Sequence, residues 1–223
     1  VLTEEGINTR LKNRYVLDEN YFDCIDTEAK AYILGFIYAD GFVGNEKFNN
    51  IVISVNDLSI LEFMSKEFKF TGNIRKTRKG GFENSKCGYS LNFSSKIMAT
   101  RLREIGLYPN KSLTMDKLPN IDEKLMRHFI RGYFDGDGSF WYENKFGMNI
   151  LSSKIFLEGW KQRFDLFSSL SISAIHYDGP DKGQRIQTGN KQIVDTFLNL
   201  IYQDANIYLD RKYQKYLNYL ATL

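Results

Sequence analysis

The chain has 223 residues, of which 43% are apolar and 15% aromatic, enough to bury a core as one domain or as two small ones. Thirty Lys and Arg against 27 Asp and Glu leave a net charge of +3, which permits a nucleic-acid partner without demanding one. Two cysteines (Cys24, Cys87) and two histidines (His128, His176) exclude a disulfide framework and histidine-based zinc chemistry, and no signal peptide or membrane-length apolar run is present, so a reducing, intracellular setting such as cytoplasm, nucleoid or organelle matrix is expected.

Residues 1–26 read as a polar, loosely packed N-terminal arm that opens at Val1 rather than Met, which leaves room for an upstream segment. Asp26 and Thr27 offer a helix cap, and the spacing predicts a helix over residues 28–40. Strands follow at 42–43 and 50–55, where Ile51, Ile53 and Val55 alternate with Val52 and Ser54. Asp57 is expected to cap a helix over LSILEFMSKEF, broken by Gly72. Strands at 73–81 and 87–93 then precede a helix that starts after Ser94 and Ser95 and stops at Gly106. The segment 109–126, held open by Pro109 and Pro119, reads as a linker between a first half, 27–108, and a second half, 127–223.

The second half repeats this order. Strands are expected at 139–144 and 148–152, a helix over 153–167, strands at 171–177 and 185–188, and helices over 190–201 and 211–220. LEF at 61–63 answers LEG at 157–159, and SSK at 94–96 answers GNK at 189–191, so two like units related by a pseudo-twofold axis are expected.

The most informative repeat lies in the helices that open each half. Residues 33–41 read ILGFIYADG and residues 130–138 read IRGYFDGDG. Gly35 and Ala39, like Gly132 and Gly136, stand four apart on one helical face, a stripe that lets two backbones approach closely. Gly41 and Gly138 are expected to end each helix in the left-handed conformation. Asp40 and Asp137 then sit at the negative ends of two helix dipoles, where a pair of carboxylates calls for a divalent cation. The carbonyls of Ala39 and Gly136 can add hard oxygen ligands suited to Mg²⁺. Asp135, whose counterpart is Tyr38, reads as a solvated or capping carboxylate.

These two stretches resemble the paired signature of the LAGLIDADG homing endonucleases in their single-chain, two-motif form, over roughly residues 27–220. The glycine and the terminal Asp-Gly match in both copies, while Phe36 and Tyr38 depart from the family's name sequence and the second copy departs further. The resemblance implies an α+β fold of duplicated αββαββα units, with the motif helices packed centrally and two antiparallel sheets forming a DNA-binding saddle. It also implies an intron-encoded, monomeric nuclease that hydrolyses one phosphodiester in each strand of a long duplex site. Mg²⁺ would lie between the motif aspartates, with Mn²⁺ or Ca²⁺ substituting for binding, and the products would carry short 3′ overhangs. Lys111 and Lys212 occupy positions resembling the family's basic site residues. Each can equally be a surface lysine or a remote phosphate contact, and Arg211 and Lys215 compete with Lys212.

For base reading, Arg75, Lys76, Thr77, Arg78 and Lys79 form a basic strand, while Ser90 and Asn92 alternate with Leu91 and Phe93. Arg185 and Gln187 flank Ile186 in the same way; Arg suits guanine and Asn or Gln suits adenine in the major groove. Trp141, Tyr142 and His176 are further DNA-contact candidates, although Trp141 reads more often as a packing residue. Two other activities are compatible with this scaffold: an RNA-binding maturase acting on intron RNA, and a DNA-binding regulator that does not cut. Loss of an acid would favour the regulator, and both acids are present.

Overall fold

Elements form in the order the alternation and the caps dictate. The computed structural model describes residues 15–77, 88–109, 111, 115, 118–174 and 183–223. The first half runs α1 (Glu28–Asp40), β1 (Gly41–Val43), β2 (Asn50–Val55), α2 (Leu58–Glu67), β3 (Arg75–Lys76), β4 (Tyr89–Ser94) and α3 (Lys96–Ile105). The second runs α4 (Glu123–Asp137), β5 (Gly138–Trp141), β6 (Gly147–Ser152), α5 (Lys154–Arg163), α6 (Asp165–Ser168), β7 (Ile172–Ala174), β8 (Gln184–Thr188), α7 (Lys191–Tyr202) and α8 (Asp210–Leu220). The chain is α+β, with two four-stranded antiparallel sheets ordered β1-β2-β4-β3 and β5-β6-β8-β7. Their registers match: Gly41 pairs with Ile53 and Gly138 with Ile150.

Each sheet turns one face inward. Ile51, Ile53, Leu91 and Phe93 are buried in the first, and Met148, Ile150 and Ile186 in the second. The alternate residues, Ser54 and Asn92, Ser139 and Gln187, stand exposed on the opposite faces. Matched caps start the helices behind these strands: Ser95 Oγ accepts from the Met98 N–H and Asn190 Oδ1 from the Ile193 N–H.

α1 and α4 make the most extensive contact between any two elements of the described structure. Thr27 opens α1, its hydroxyl accepting from the Lys30 N–H at 3.2 Å, and every residue from 31 to 39 is buried. A helix that is apolar all round is stable only inside a protein. Here it is enclosed by its own sheet and by α4. Gly35 and Gly132 lie where the two helices touch: a Cβ on Gly35 would fall 1.9 Å from the Phe129 carbonyl oxygen, and one on Gly132 would fall 2.0 Å from that of Tyr32.

Several expectations are corrected. Gly41 (φ −82°) and Gly138 (φ −93°) are extended first residues of β1 and β5, not left-handed caps. They are glycine for lack of room, since a Cβ would meet Ile37 Cγ2 at 2.5 Å or Phe134 Cδ2 at 2.0 Å. Only Gly106 ends its helix at positive φ, 123°, among the described glycines. α2 stops at Glu67, and the chain reverses at Lys69 (φ 49°), ahead of Gly72. Asp57 makes no capping bond; its carboxylate accepts instead from Arg211 Nε across the halves, at 3.1 Å. The helix expected over 153–167 is interrupted at Phe164, whose backbone is extended (φ −123°, ψ 107°) while its ring packs on Trp160 and Phe167. The described part of the segment before α1, from residue 15, is not loosely packed: Tyr21 and Phe22 are buried, both against Phe68. No helix among the described residues is long and apolar enough to cross a membrane.

Candidate active site

The paired helices end side by side. Ala39 and Gly136 face one another across the seam, for a Cβ on Gly136 would lie 2.3 Å from that of Ala39 and 3.3 Å from Asp40 Oδ2. The two carboxylates are thus brought together: Asp40 is exposed and Asp137 half-buried. Both lie in a concave setting that solvent reaches but protein largely surrounds. Burial, first of all, pushes the Asp137 carboxyl up to about 6, with repulsion from Asp40 adding to it and Lys111 and Lys212 pulling it back. Asp40 is likewise raised by burial, and Lys111, Lys212 and Arg211 oppose the rise.

One lysine from each half reaches the same place. Lys111 Nζ donates to the carbonyls of Ile37 (3.1 Å), Tyr38 (2.6 Å) and Ala39. Lys212 Nζ donates to those of Phe134 (2.6 Å), Gly138 (2.5 Å) and Gly136 (3.5 Å). The last carbonyls of a helix have no intrahelical donor and carry the negative end of its dipole, so an ammonium is well placed there. Neither α1 nor α4 has a basic residue in its own last turn, and the lysines supply that charge from elsewhere in the chain. Burial holds both amines down, at about 8, against the attraction of the nearby carboxylates. A cavity of about 200 Å³ opens beside the seam, lined by Ala39, Lys111, Asp137, Ser152 and Gln184.

For a hard divalent cation the donor set fits. Two carboxylates converge from separate helix ends, the ligand type Mg²⁺ takes with water filling its remaining positions. The Ala39 and Gly136 carbonyls are already engaged by lysine, so the carboxylates are the freer donors.

Asp135 departs from expectation. It is fully buried and accepts from the hydroxyls of Tyr32 (2.7 Å) and Tyr202 (2.6 Å) and from the Leu209 N–H (2.8 Å). Burial pushes its carboxyl up, and Lys212 with these three bonds offsets the rise. Arg131, also buried, completes a network by donating to Glu28, Ile201 and Ile207. Sequence reading missed this network, although the intrusion of Arg131 and Asp135 into an apolar stretch was a signal for it.

The strand candidates divide. Arg75 and Lys76 are exposed on β3, Ser90 and Asn92 occupy the open face of the first sheet, and Arg185 and Gln187 that of the second. The Thr77 hydroxyl is spent on the Gly88 N–H at 3.0 Å. Arg78 and His176 lie outside the described residues. Tyr142 is not on the open face; it shares the parity of Phe140 and packs on Phe140 and Tyr219. Trp141 shares the face of Ser139 and lies half-exposed, with its ring against Gly147, where a Cβ would meet Trp141 Cζ2 at 2.9 Å. Arg185 Nε and Asn149 Oδ1, a donor and an acceptor on that face, are buried without a hydrogen-bond partner among the described residues. Such groups cost about 1–3 kcal/mol each until paired.

This architecture has counterparts among solved structures. The LAGLIDADG homing endonuclease I-SmaMI bound to cleaved DNA is 15% identical, matches with a TM-score of 0.55 and is covered over 89% of each chain. The homing endonuclease I-WcaI bound to its DNA recognition sequence is 16% identical with a TM-score of 0.53, over 82% of this chain and 85% of that one. The LAGLIDADG homing endonuclease I-GzeII in complex with DNA target is 15% identical with a TM-score of 0.53, over 86% and 88%. Identities this low establish a shared fold. An uncharacterized protein of Methanocaldococcus jannaschii is 32% identical over 152 residues, 62% of this chain and 52% of that protein, so the chain spans about half the length of the curated relative it matches. No family model matches the sequence.

Proposed function

We propose that this chain, which has the LAGLIDADG homing-endonuclease fold, is a site-specific double-stranded DNA endonuclease acting as a monomer with Mg²⁺. The observation that carries the reading is the convergence at one seam of an acid and a lysine from each half, Asp40 with Lys111 and Asp137 with Lys212. Asp40 and Asp137 would hold the cation. When bound, Mg²⁺ supplies Lewis-acid polarisation of a phosphoryl oxygen and makes water a stronger acid.

The remaining work falls to the chain's own groups. Lys111 and Lys212 place positive charge beside the two acids, where charge develops on a phosphate under attack. The open sheet faces present Arg75, Ser90 and Asn92 from one half and Arg185, Gln187 and Trp141 from the other, on antiparallel ribbons that suit a major groove. The unpaired Arg185 Nε and Asn149 Oδ1 are suited to pairing with base edges.

Selection of cleavable sites from a random duplex library supplies the target. On it, Asp40→Asn and Asp137→Asn each reduce cleavage by about a thousandfold or more while the chain still binds the duplex. Chelation of Mg²⁺ stops the wild-type chain. Wild-type cutting by either variant overturns the assignment.

A further inference from the structure

The two motif helices differ in chemistry at one repeated position, two residues before the terminal aspartate. In α1 it is Tyr38, whose hydroxyl donates to the Ile105 carbonyl at 2.9 Å. Ile105 closes α3, and the chain goes on from there to Lys111. In α4 it is Asp135, which accepts from the Leu209 N–H at 2.8 Å. Leu209 immediately precedes α8, whose first turn carries Lys212.

In each half, then, the same helical position grips the backbone just upstream of that half's lysine. The side chains suit what they meet. A helix end offers a carbonyl and is met by a hydroxyl donor; a helix start offers an N–H and is met by a carboxylate. A lysine stem is flexible and its ammonium strongly hydrated, so holding it on buried carbonyls requires its Cα to be placed by other contacts. Gly35 and Gly132 mark where the backbones of α1 and α4 come closest, and both position-matched side chains also touch the opposite helix, Tyr38 through the Phe129 ring at 5.1 Å and Asp135 by accepting from Tyr32.

We infer that Tyr38 and Asp135 are positioning residues, each fastening the segment that delivers its own half's lysine to the seam: Tyr38 for Lys111 and Asp135 for Lys212. In the second half the grip is the stronger. Tyr32 and Tyr202 hold the Asp135 carboxylate, while Arg131 donates to the Ile201 (2.9 Å) and Ile207 (2.6 Å) carbonyls of the same connection. The importance of the two lysines to cleavage rests on the endonuclease reading; their placement does not.

The test is site-resolved lysine acetylation of the full chain without DNA, quantified by mass spectrometry alongside the thermal midpoint. Asp135→Leu, which removes the acceptor of the Leu209 N–H, raises labelling of Lys212 about tenfold with Lys111 unchanged, and Tyr38→Phe, which removes the donor to the Ile105 carbonyl, does the reverse. Tyr202→Phe, which keeps the Asp135 bond to the Leu209 N–H, leaves Lys212 near its wild-type rate. A rise at both lysines in each variant, no rise at either, or an equal rise in Tyr202→Phe overturns the inference. Strand-resolved cleavage adds a second readout: Asp135→Leu and Tyr38→Phe accumulate nicks in opposite strands, and equal slowing of both strands counts against selective positioning. A wild-type chain that cuts no duplex, with the labelling pattern intact, sinks the endonuclease reading alone.

Discussion

Asp137 combines the proposed cation-binding role with a stability cost. Its carboxyl is raised to about 6, chiefly by burial, so the folded chain holds that proton more tightly than the unfolded chain does. Stability from this group is therefore present at low pH and lost as pH climbs from the ordinary carboxylate range toward 6. Cation binding needs the deprotonated form and follows the opposite course. Under the endonuclease reading, cleavage at limiting Mg²⁺ should fall as pH drops through about 6, and higher Mg²⁺ should move that limb lower; a pH–rate series at two metal concentrations checks this. Lys111 and Lys212, held near 8 by burial, set an alkaline limb there if their charge is used. Asp137→Asn should also gain stability at pH 7.5, on the order of 1–2 kcal/mol after allowance for solvent screening, measured by urea unfolding. Both acids were legible in the sequence because the repeat set them in register. The role of Asp135 was not, because its three donors come from Tyr32, Tyr202 and Leu209, remote positions that only the folded chain assembles.

Among the elements, the helix pair is specified by what its glycines lack. Adding a methyl at Gly35 or Gly132 drives it into a partner carbonyl, and main chain cannot swing aside as a side-chain tip can. Gly35→Ala and Gly132→Ala should each lose about 3 kcal/mol or more in denaturant unfolding. Gly159→Ala is the matching control: it lies inside α5 with nothing within 4 Å of its added Cβ, and should gain about 0.5–1 kcal/mol. Helix and strand order could be read from periodicity and caps. The stop of α2 before Gly72, the break at Phe164 and the extended Gly41 and Gly138 could not, since packing decided each of them. A ring that fills a gap, or a glycine that admits Ile37 or Phe134, leaves the same letters as a turn would.

At the scale of the whole molecule, two sheets with one topology present unlike open faces. Asn92 lies across from Val52 in the first, while Gln187 lies across from Asn149 in the second. Under the endonuclease reading the duplex site is accordingly asymmetric. Gln187→Ala should relax base preference in one half-site, at about 1–3 kcal/mol of discrimination, with cutting of the relaxed sites retained; a cleavage-site library read before and after substitution measures it. Tyr142→Ala should lower the thermal midpoint and leave that preference alone, because its ring is committed to Phe140 and Tyr219. Alternation identified the open faces, but which of Trp141 and Tyr142 points to the open side of the sheet could not be read until β5 was seen to begin at Gly138. That start, Gly138, was expected to belong to the preceding helix end.

The joint at Gly35 and Gly132 brings peptide groups of one half against peptide groups of the other. Peptide units are common to every residue, so such a joint is nearly indifferent to the surrounding alphabet so long as two positions stay bare. Halves whose remaining letters have drifted apart can still mate through it. It also makes the halves candidates for exchange: a chimaera that keeps both bare positions has a seam to close on, whatever side chains its two open faces carry.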